Sequence, residues 1–189
     1  MWFYNGFFPV VWLGFVLYWQ IKARRAKETE RLEGATSRVV RSLVFLSAIV
    51  LMSVPNIPAP FLYRYFLTPG LVSFFTGAIV TLAGLVFAIW AREQLGTNWS
   101  RSVTIKKDHE LITSGPYALV RHPIYTGILT GFLGSVIAEG QIRSLIAMAM
   151  VSIVLWFKLR LEENWMKGQF GASYEAYSRR VAALVPFLL

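Results

Sequence analysis

Gly115-Pro116-Tyr117-Ala118-Leu119-Val120-Arg121-His122-Pro123-Ile124-Tyr125-Thr126-Gly127 decides the fold, because a polar, aromatic and charged segment runs there directly into a long apolar one. Gly115-Pro116 reads as a turn. Pro123 steers His122 away from helical geometry and can itself occupy the first turn of a helix. The run Ile124 to Ala138 then reads as membrane-embedded helix, which puts Arg121 and His122 at a membrane boundary.

Composition agrees with a membrane setting. The 189 residues are 56% hydrophobic and only 15% charged, against roughly 45–50% and 25% in soluble domains. A formal charge of +9 raises the question of nucleic acid. Long apolar runs between the basic residues make membrane-flanking loops the better home for them, so no nucleic-acid partner is expected. The chain has no cysteine, which removes disulfides, thiolate metal sites and a cysteine nucleophile. With two histidines and no ligand pair at helical spacing, no metal is expected.

Outward from the central stretch, the pattern predicts an all-α integral membrane protein with about five transmembrane helices. The first span is Trp2 to Ile21. Its basic cluster follows the apolar run, which favours a retained span over a cleaved signal. Lys22 to Arg41 reads as a loop, partly helical, containing Arg24, Arg25, Lys27, Glu28 and Glu33. The second span runs from Ser42 to Val54 and on towards Leu62, broken by Pro55, Pro58 and Pro60. The third is Leu71 to Ala91, with Gly77 and Gly84 spaced for close helix contact. The last two, Ile124 to Ala138 and Ile142 to Phe157, are joined only by Glu139-Gly140-Gln141 and should form an antiparallel hairpin. We read 1–189 as a single membrane domain, with amino-terminal helices in 1–91 and the chemistry in 92–189.

Basic residues crowd the loops Lys22 to Arg41 and Arg92 to Pro123 and the tail, whereas the other loops hold only Arg64 and Arg143. The positive-inside rule therefore predicts an outside amino terminus and a cytoplasmic carboxy terminus. It gathers the 92–123 loop, the base of the fourth span and Glu162-Glu163 on one face. The segment Phe170 to Tyr177 can fold back there as a short helix carrying Arg179 and Arg180. Charges at such depth are usually paired or functional.

Arg121-His122-Pro123-Ile124-Tyr125-Thr126-Gly127, preceded by Gly115-Pro116-Tyr117 and followed by Glu162-Glu163, Phe170-Gly171, Tyr174, Tyr177, Arg180 and Pro186-Phe187, resembles the isoprenylcysteine carboxyl methyltransferase family. The wider group includes phospholipid N-methyltransferases. The resemblance covers the carboxy-terminal half from Leu95-Gly96 onwards. It implies a membrane enzyme with S-adenosylmethionine as cofactor, bound on the cytoplasmic side, and a prenylated or otherwise lipid-bearing acceptor entering from the bilayer.

The residue types suit such a cofactor, which carries a ribose diol, an amino-acid end and a cationic sulfonium. Glu162 or Glu163 can accept from the ribose or the ammonium. Tyr117 and Tyr125 offer aromatic surface, with a cation–π attraction of about 0.5–2 kcal/mol if one faces the sulfonium. His122, at the start of the helix that Pro123 opens, can bond the cofactor's polar end, and the loop through Leu111, Ile112 and Gly115 supplies backbone groups. The resemblance matches Arg180 to a family arginine near the carboxy terminus, and a carboxylate acceptor would need such a cation rather than a base. An amine or hydroxyl acceptor would instead use Glu163 or His122 as base.

Plainer readings exist for each residue. His122 could cap its helix, Glu162 and Glu163 could pair with Lys158 or Arg160 at helical spacing, and Arg179 and Arg180 could bind anionic lipid heads. Trp99, Trp165, Tyr117 and Tyr125 suit an interfacial belt, and His109 beside Asp108 and Lys107 suits a solvated loop. Two departures from the family matter. The tail reads Arg180-Val181-Ala182-Ala183 where relatives often have Arg-Val-Pro, so its backbone is expected to be less constrained. Extra amino-terminal spans of eukaryotic members are lacking, so a pocket built by them would differ. An NADPH-dependent sterol-type reductase and a non-catalytic lipid-binding membrane protein stay open as alternatives.

Overall fold

In the computed structural model, the described residues are 2–23, 29–32, 34–54, 57–96, 104–106 and 111–186. Arg24, Arg25, Lys27, Glu28, Glu33, Pro55, Trp99, Lys107, Asp108, His109 and Phe187, named above, lie outside them. Five long helices follow the apolar runs: α1 (Trp2–Ala23), α2 (Ala35–Ser53), α3 (Leu71–Leu95), α4 (Pro123–Glu139) and α5 (Ile142–Phe170). By length and composition α2, α3 and α5 can each cross a membrane. The protein is an integral membrane protein.

The helix bounds correct several expectations, always where charged residues continue a helix that apolarity alone would end. α2 begins at Ala35, so the helical part expected within Lys22 to Arg41 is its end, which carries Arg38 and Arg41 into the second span's helix. It stops at Ser53, because the residue before Pro55 is driven out of helical geometry and Val54 is extended. α3 runs past Ala91 through Arg92 and Glu93. α5 runs past Phe157 for more than three further turns, through Lys158, Glu162 and Glu163, as no helix breaker intervenes before Gly171 at φ +49°. The expected tail helix is present as α6 (Ala172–Arg180). Outside the long helices the all-α expectation is amended by a short ribbon, β1 (Thr29–Leu32) antiparallel to β2 (Thr104–Lys106). It joins the loop after α1 to the loop after α3, so these loops leave the bundle at the same end.

Small residues set the closest helix contact. Gly77, Thr81, Gly84 and Ala88 on α3 face Gly127, Gly131, Gly134 and Ala138 on antiparallel α4, with the same 4-3-4 spacing on both helices. A Cβ at Gly84 would sit 2.5 Å from the Gly131 nitrogen and 2.6 Å from the Gly127 oxygen. The backbones touch. Thr81 Oγ1 donates to the Gly131 carbonyl at 3.1 Å, and Trp12 Nε1 on α1 donates to Ser135 Oγ at 3.0 Å. Gly84→Val should therefore push two backbones apart and cost about 3 kcal/mol, the upper end of the range for overpacking. Gly14→Val, with open space around it, should cost nothing measurable. Thermal unfolding in detergent compares them, and equal midpoints would remove this contact from the account.

α2 packs on α5 rather than on α1. At the end away from the ribbon, Arg143 ties the pair together, donating to the Leu51 and Val54 carbonyls at 3.3 and 3.2 Å, and pairs with Glu139 at the end of α4. α4 and α5 form the expected hairpin around Gly140, whose left-handed backbone (φ +66°) closes α4.

Candidate functional site

Helix geometry brings the unusual residues to the opposite end of that hairpin. Pro123 opens α4 at its first position and leaves His122 as the capping residue with non-helical backbone (φ −123°, ψ 60°). The His122 ring is thereby turned towards α5, parallel to the Tyr125 ring with centroids 5.4 Å apart. Two consecutive carboxylates on α5 receive it. His122 Nδ1 lies 3.5 Å from Glu162 Oε2 and His122 Nε2 lies 3.5 Å from Glu163 Oε1. The Tyr125 hydroxyl donates to Glu162 Oε1 at 2.5 Å. Lys158, one turn before Glu162, lies 3.7 Å from the same oxygen and 5.0 Å from the Tyr125 ring centre.

Arg121 holds the other carboxylate. Its Nε and one terminal nitrogen donate to Glu163 Oε1 at 2.8 and 2.6 Å, and its other terminal nitrogen donates to the carbonyls of Ser178, at 2.9 Å, and Val181. The side chain thus bridges α5 to the tail. The tail is fixed further by backbone bonds from Arg121 to the Ala182 oxygen (2.8 Å) and from His122 to the Ala183 oxygen (3.0 Å), and by Thr126 Oγ1 to the Leu184 oxygen (2.6 Å). This corrects the expectation of a loosely constrained tail: hydrogen bonds to the central motif do the work that a proline would do.

Tyr117, in a 3₁₀ turn over Gly115–Ala118, is buried, and its carbonyl accepts from the Tyr177 hydroxyl of α6 at 2.6 Å. Gly115 has φ +61° and lies against the Gln94 side chain, which donates to Ser114 Oγ at 3.0 Å. Leu111 and Ile112 are half-buried, and Ile112 packs on the apolar cluster that contains Tyr117 and Tyr125. Arg180 stands apart: it is exposed on α6, and its Nε donates to the Ala176 carbonyl of its own helix at 3.3 Å.

His122, Tyr125, Glu162 and Glu163 therefore form one connected group, with Pro123 buried beneath it. Lys158 joins that group as the partner of Glu162 that helical spacing allowed, and Arg121 joins it although the sequence gave it no role beyond its place at the membrane boundary. The signal was present in Arg121, which directly precedes His122 in a motif that meets two carboxylates across a hairpin.

The electrostatics of His122 carry a pH dependence. Burial disfavours the imidazolium, but hydrogen bonding and charge from Glu162 and Glu163 outweigh burial and raise its pKa above the ordinary histidine value. The resulting stabilisation is full below about pH 6.5, the unfolded value, and is lost as pH rises through the folded pKa. Thermal midpoints in detergent should fall as pH rises above about 6.5, and His122→Gln should flatten that slope. An unchanged slope in the variant would assign it to another group.

A helical membrane protein with a charged, buried site where its last hairpin meets its tail is the class that fold and geometry define. The phospholipid methyltransferase family model matches residues 72–173. The chain belongs to that family. It is 38% identical over 104 residues to the protein-S-isoprenylcysteine O-methyltransferase of Schizosaccharomyces pombe, covering 52% of this chain and 43% of the relative. It is 31% identical over 125 residues to protein-S-isoprenylcysteine O-methyltransferase B of Arabidopsis thaliana, covering 63% and 58%. The chain spans about half the length of these relatives. Its fold is similar to that of a solved eukaryotic intramembrane Ras methyltransferase, isoprenylcysteine carboxyl methyltransferase, with TM-score 0.54 and 24% identity over 81% of this chain and 52% of that one.

Proposed function

We propose that this protein transfers a methyl group from S-adenosylmethionine to the carboxylate of an isoprenylcysteine-like acceptor that reaches it from the bilayer. The observation that carries the reading is the buried His122–Tyr125–Glu162–Glu163 group inside the segment that the family model matches. The donor set suits the cofactor. His122 Nε2 is buried and has no well-formed protein hydrogen bond, Glu163 Oε1 standing at the long limit of 3.5 Å. Glu162, across the His122 ring at Nδ1, has capacity to accept beyond its contacts with Tyr125 and His122. Glu162 and His122 would hold the polar end of the cofactor, Tyr117 and Tyr125 would offer aromatic surface, and backbone groups of Leu111, Ile112 and Gly115 would line the approach.

The cofactor supplies an electrophilic methyl on a sulfonium, and a carboxylate can take it by in-line displacement without a general base. What remains for the chain is alignment and exclusion of water, an effect that corresponds to roughly 7–11 kcal/mol in well-oriented reactions. Arg121 holds Glu163 in place through two charge-assisted bonds, and the Tyr125 hydroxyl and Lys158 position Glu162. The orientation we propose has the amino terminus outside and the site, the 92–123 loop and the carboxy terminus cytoplasmic, in keeping with the shared ribbon of the two basic loops.

Calorimetry in detergent tests the cofactor assignment. The demethylated product S-adenosylhomocysteine should bind, NADPH should not, and His122→Ala should weaken binding ten- to a hundredfold, the equivalent of about 1.5–3 kcal/mol for one charge-assisted hydrogen bond. Binding of NADPH in preference would replace this reading with the reductase one.

A further inference from the structure

A turn as short as Gly115–Ala118 does not hold its own shape, because a single 3₁₀ turn ends in carbonyls that the turn itself cannot satisfy. The amides that follow it are engaged elsewhere. Leu119 and Val120 both donate to the Pro116 oxygen, at 3.1 and 3.2 Å, and Arg121 donates to the Ala182 oxygen of the tail. The Tyr117 carbonyl is thereby left to a side chain, and Tyr177 of α6 supplies it: the hydroxyl donates at 2.6 Å across 60 residues of sequence, and both tyrosines are buried. The tie on the other side of the turn, from Gln94 to Ser114 Oγ at 3.0 Å, is exposed, where water competes for both partners.

The surrounding chain aims α6 at this carbonyl. Gly171, with φ +49°, both closes α5 and opens α6, so the chain turns sharply and α6 folds back on the end of the hairpin. The buried face of α6 is formed by Tyr174 and Tyr177, whose rings meet edge-on with centres 6.0 Å apart. Arg121 takes the Ser178 carbonyl, at 2.9 Å, and the Val181 carbonyl, which fixes the rotation of the last turn of α6. Parallel pairing of Val120 with Ala182 then leads the tail along the central motif to its bonds with Arg121 and His122. One segment of tail thus sets the turn that carries Tyr117 in register with His122.

We propose that Tyr177 is a positioning residue for the methyl donor, its hydroxyl holding the 115–118 turn so that Tyr117 and His122 meet the cofactor together. This role rests on the methyl-transfer reading and deepens it. α6 serves the site through the hydroxyl of Tyr177 and not through Arg180, which is exposed and bonded to its own helix. Tyr177 touches no reacting group and acts through Tyr117.

Calorimetry and steady-state kinetics in detergent test it. Tyr177→Phe removes the hydroxyl alone. Affinity for S-adenosylhomocysteine should fall about tenfold, the scale of one hydrogen bond, and the KM for S-adenosylmethionine should rise by a similar factor. The KM for a farnesylated cysteine and kcat should stay within about twofold. Tyr63→Phe, which removes a tyrosine bond to the Val54 carbonyl at the far end of the bundle, should leave all four quantities unchanged. Two residues that act as one unit do not add, so in a Tyr117→Leu background Tyr177→Phe should change the affinity by less than about twofold. Hydrogen exchange on the wild type needs no variant: S-adenosylhomocysteine should slow exchange in 115–122 and in 177–184 together. Wild-type affinity in Tyr177→Phe, an equal fall in the Tyr117→Leu background, a loss in kcat with both KM values unchanged, or protection confined to 115–122 overturns the proposal. Wild-type protein that does not bind S-adenosylhomocysteine at all would instead defeat the methyl-transfer reading.

Discussion

Arg121→Ala is expected to lower stability by about 3–5 kcal/mol, because it leaves a buried carboxylate without its partner, and to abolish methyl transfer. The side chain is only 12% exposed and the Glu163 side chain 11%, so solvent cannot take over the lost interaction. Two consequences follow from the same guanidinium. Glu163 loses its hydrogen-bonding partner, and the carbonyls of Ser178 and Val181 lose the donor that holds the tail against the central motif. The double variant Arg121→Met/Glu163→Leu should recover much of the stability, as buried ion pairs replaced by packed apolar groups often do, while remaining inactive. Thermal unfolding in detergent and a methyl-transfer assay on the same preparations separate the two effects. Full activity in a folded Arg121→Ala protein would reduce this arginine to an interfacial charge.

Glu162→Ala carries the second large effect, on cofactor affinity. Glu162 is the acceptor that the Tyr125 hydroxyl and His122 both face, so its removal leaves two buried donors without a partner and takes away the group proposed to meet the cofactor's ammonium or ribose. A loss of ten- to a hundredfold in S-adenosylhomocysteine affinity is expected, about 1.5–3 kcal/mol. Glu162→Gln, which keeps an acceptor oxygen and discards the charge, should lie between. Calorimetry measures both, and wild-type affinity in the alanine variant would return Glu162 to a purely interfacial pair with Lys158.

Much of this arrangement was legible in the residues because the bilayer imposes strong rules. Apolar runs located α1 and α3 to α5 to within a turn at their apolar ends, and the three-residue link Glu139-Gly140-Gln141 made the last hairpin unavoidable. The spacing of Gly77 and Gly84 announced a close contact, although nothing in α3 alone identified its partner stripe on α4. The same hydropathy argument misjudged where helices stop. Charged side chains end a membrane core but not a helix, so the ends of α2, α3 and α5 ran on through Arg41, Glu93 and Glu163.

That error hid part of the site. With the fifth span ended at Phe157, the helical spacing of Lys158 and Glu162 was visible but the face of α5 that meets His122 and Arg121 was not. The pairing of Arg121 with Glu163 and with tail carbonyls spans 42 to 60 residues of sequence, and no local pattern encodes such a contact. The histidine, by contrast, was visible at once, because Pro123 leaves it few conformations and few places to point.

Transfer of labelled methyl from S-adenosylmethionine, measured in parallel on a farnesylated cysteine, on phosphatidylethanolamine and on a total lipid extract, separates carboxyl from amine methylation. Base-labile label is expected on the farnesylated acceptor, the mark of a methyl ester, and is lost in Glu162→Ala and Arg121→Ala. Base-stable label in the lipid amine, with none on the farnesylated acceptor, would contradict it.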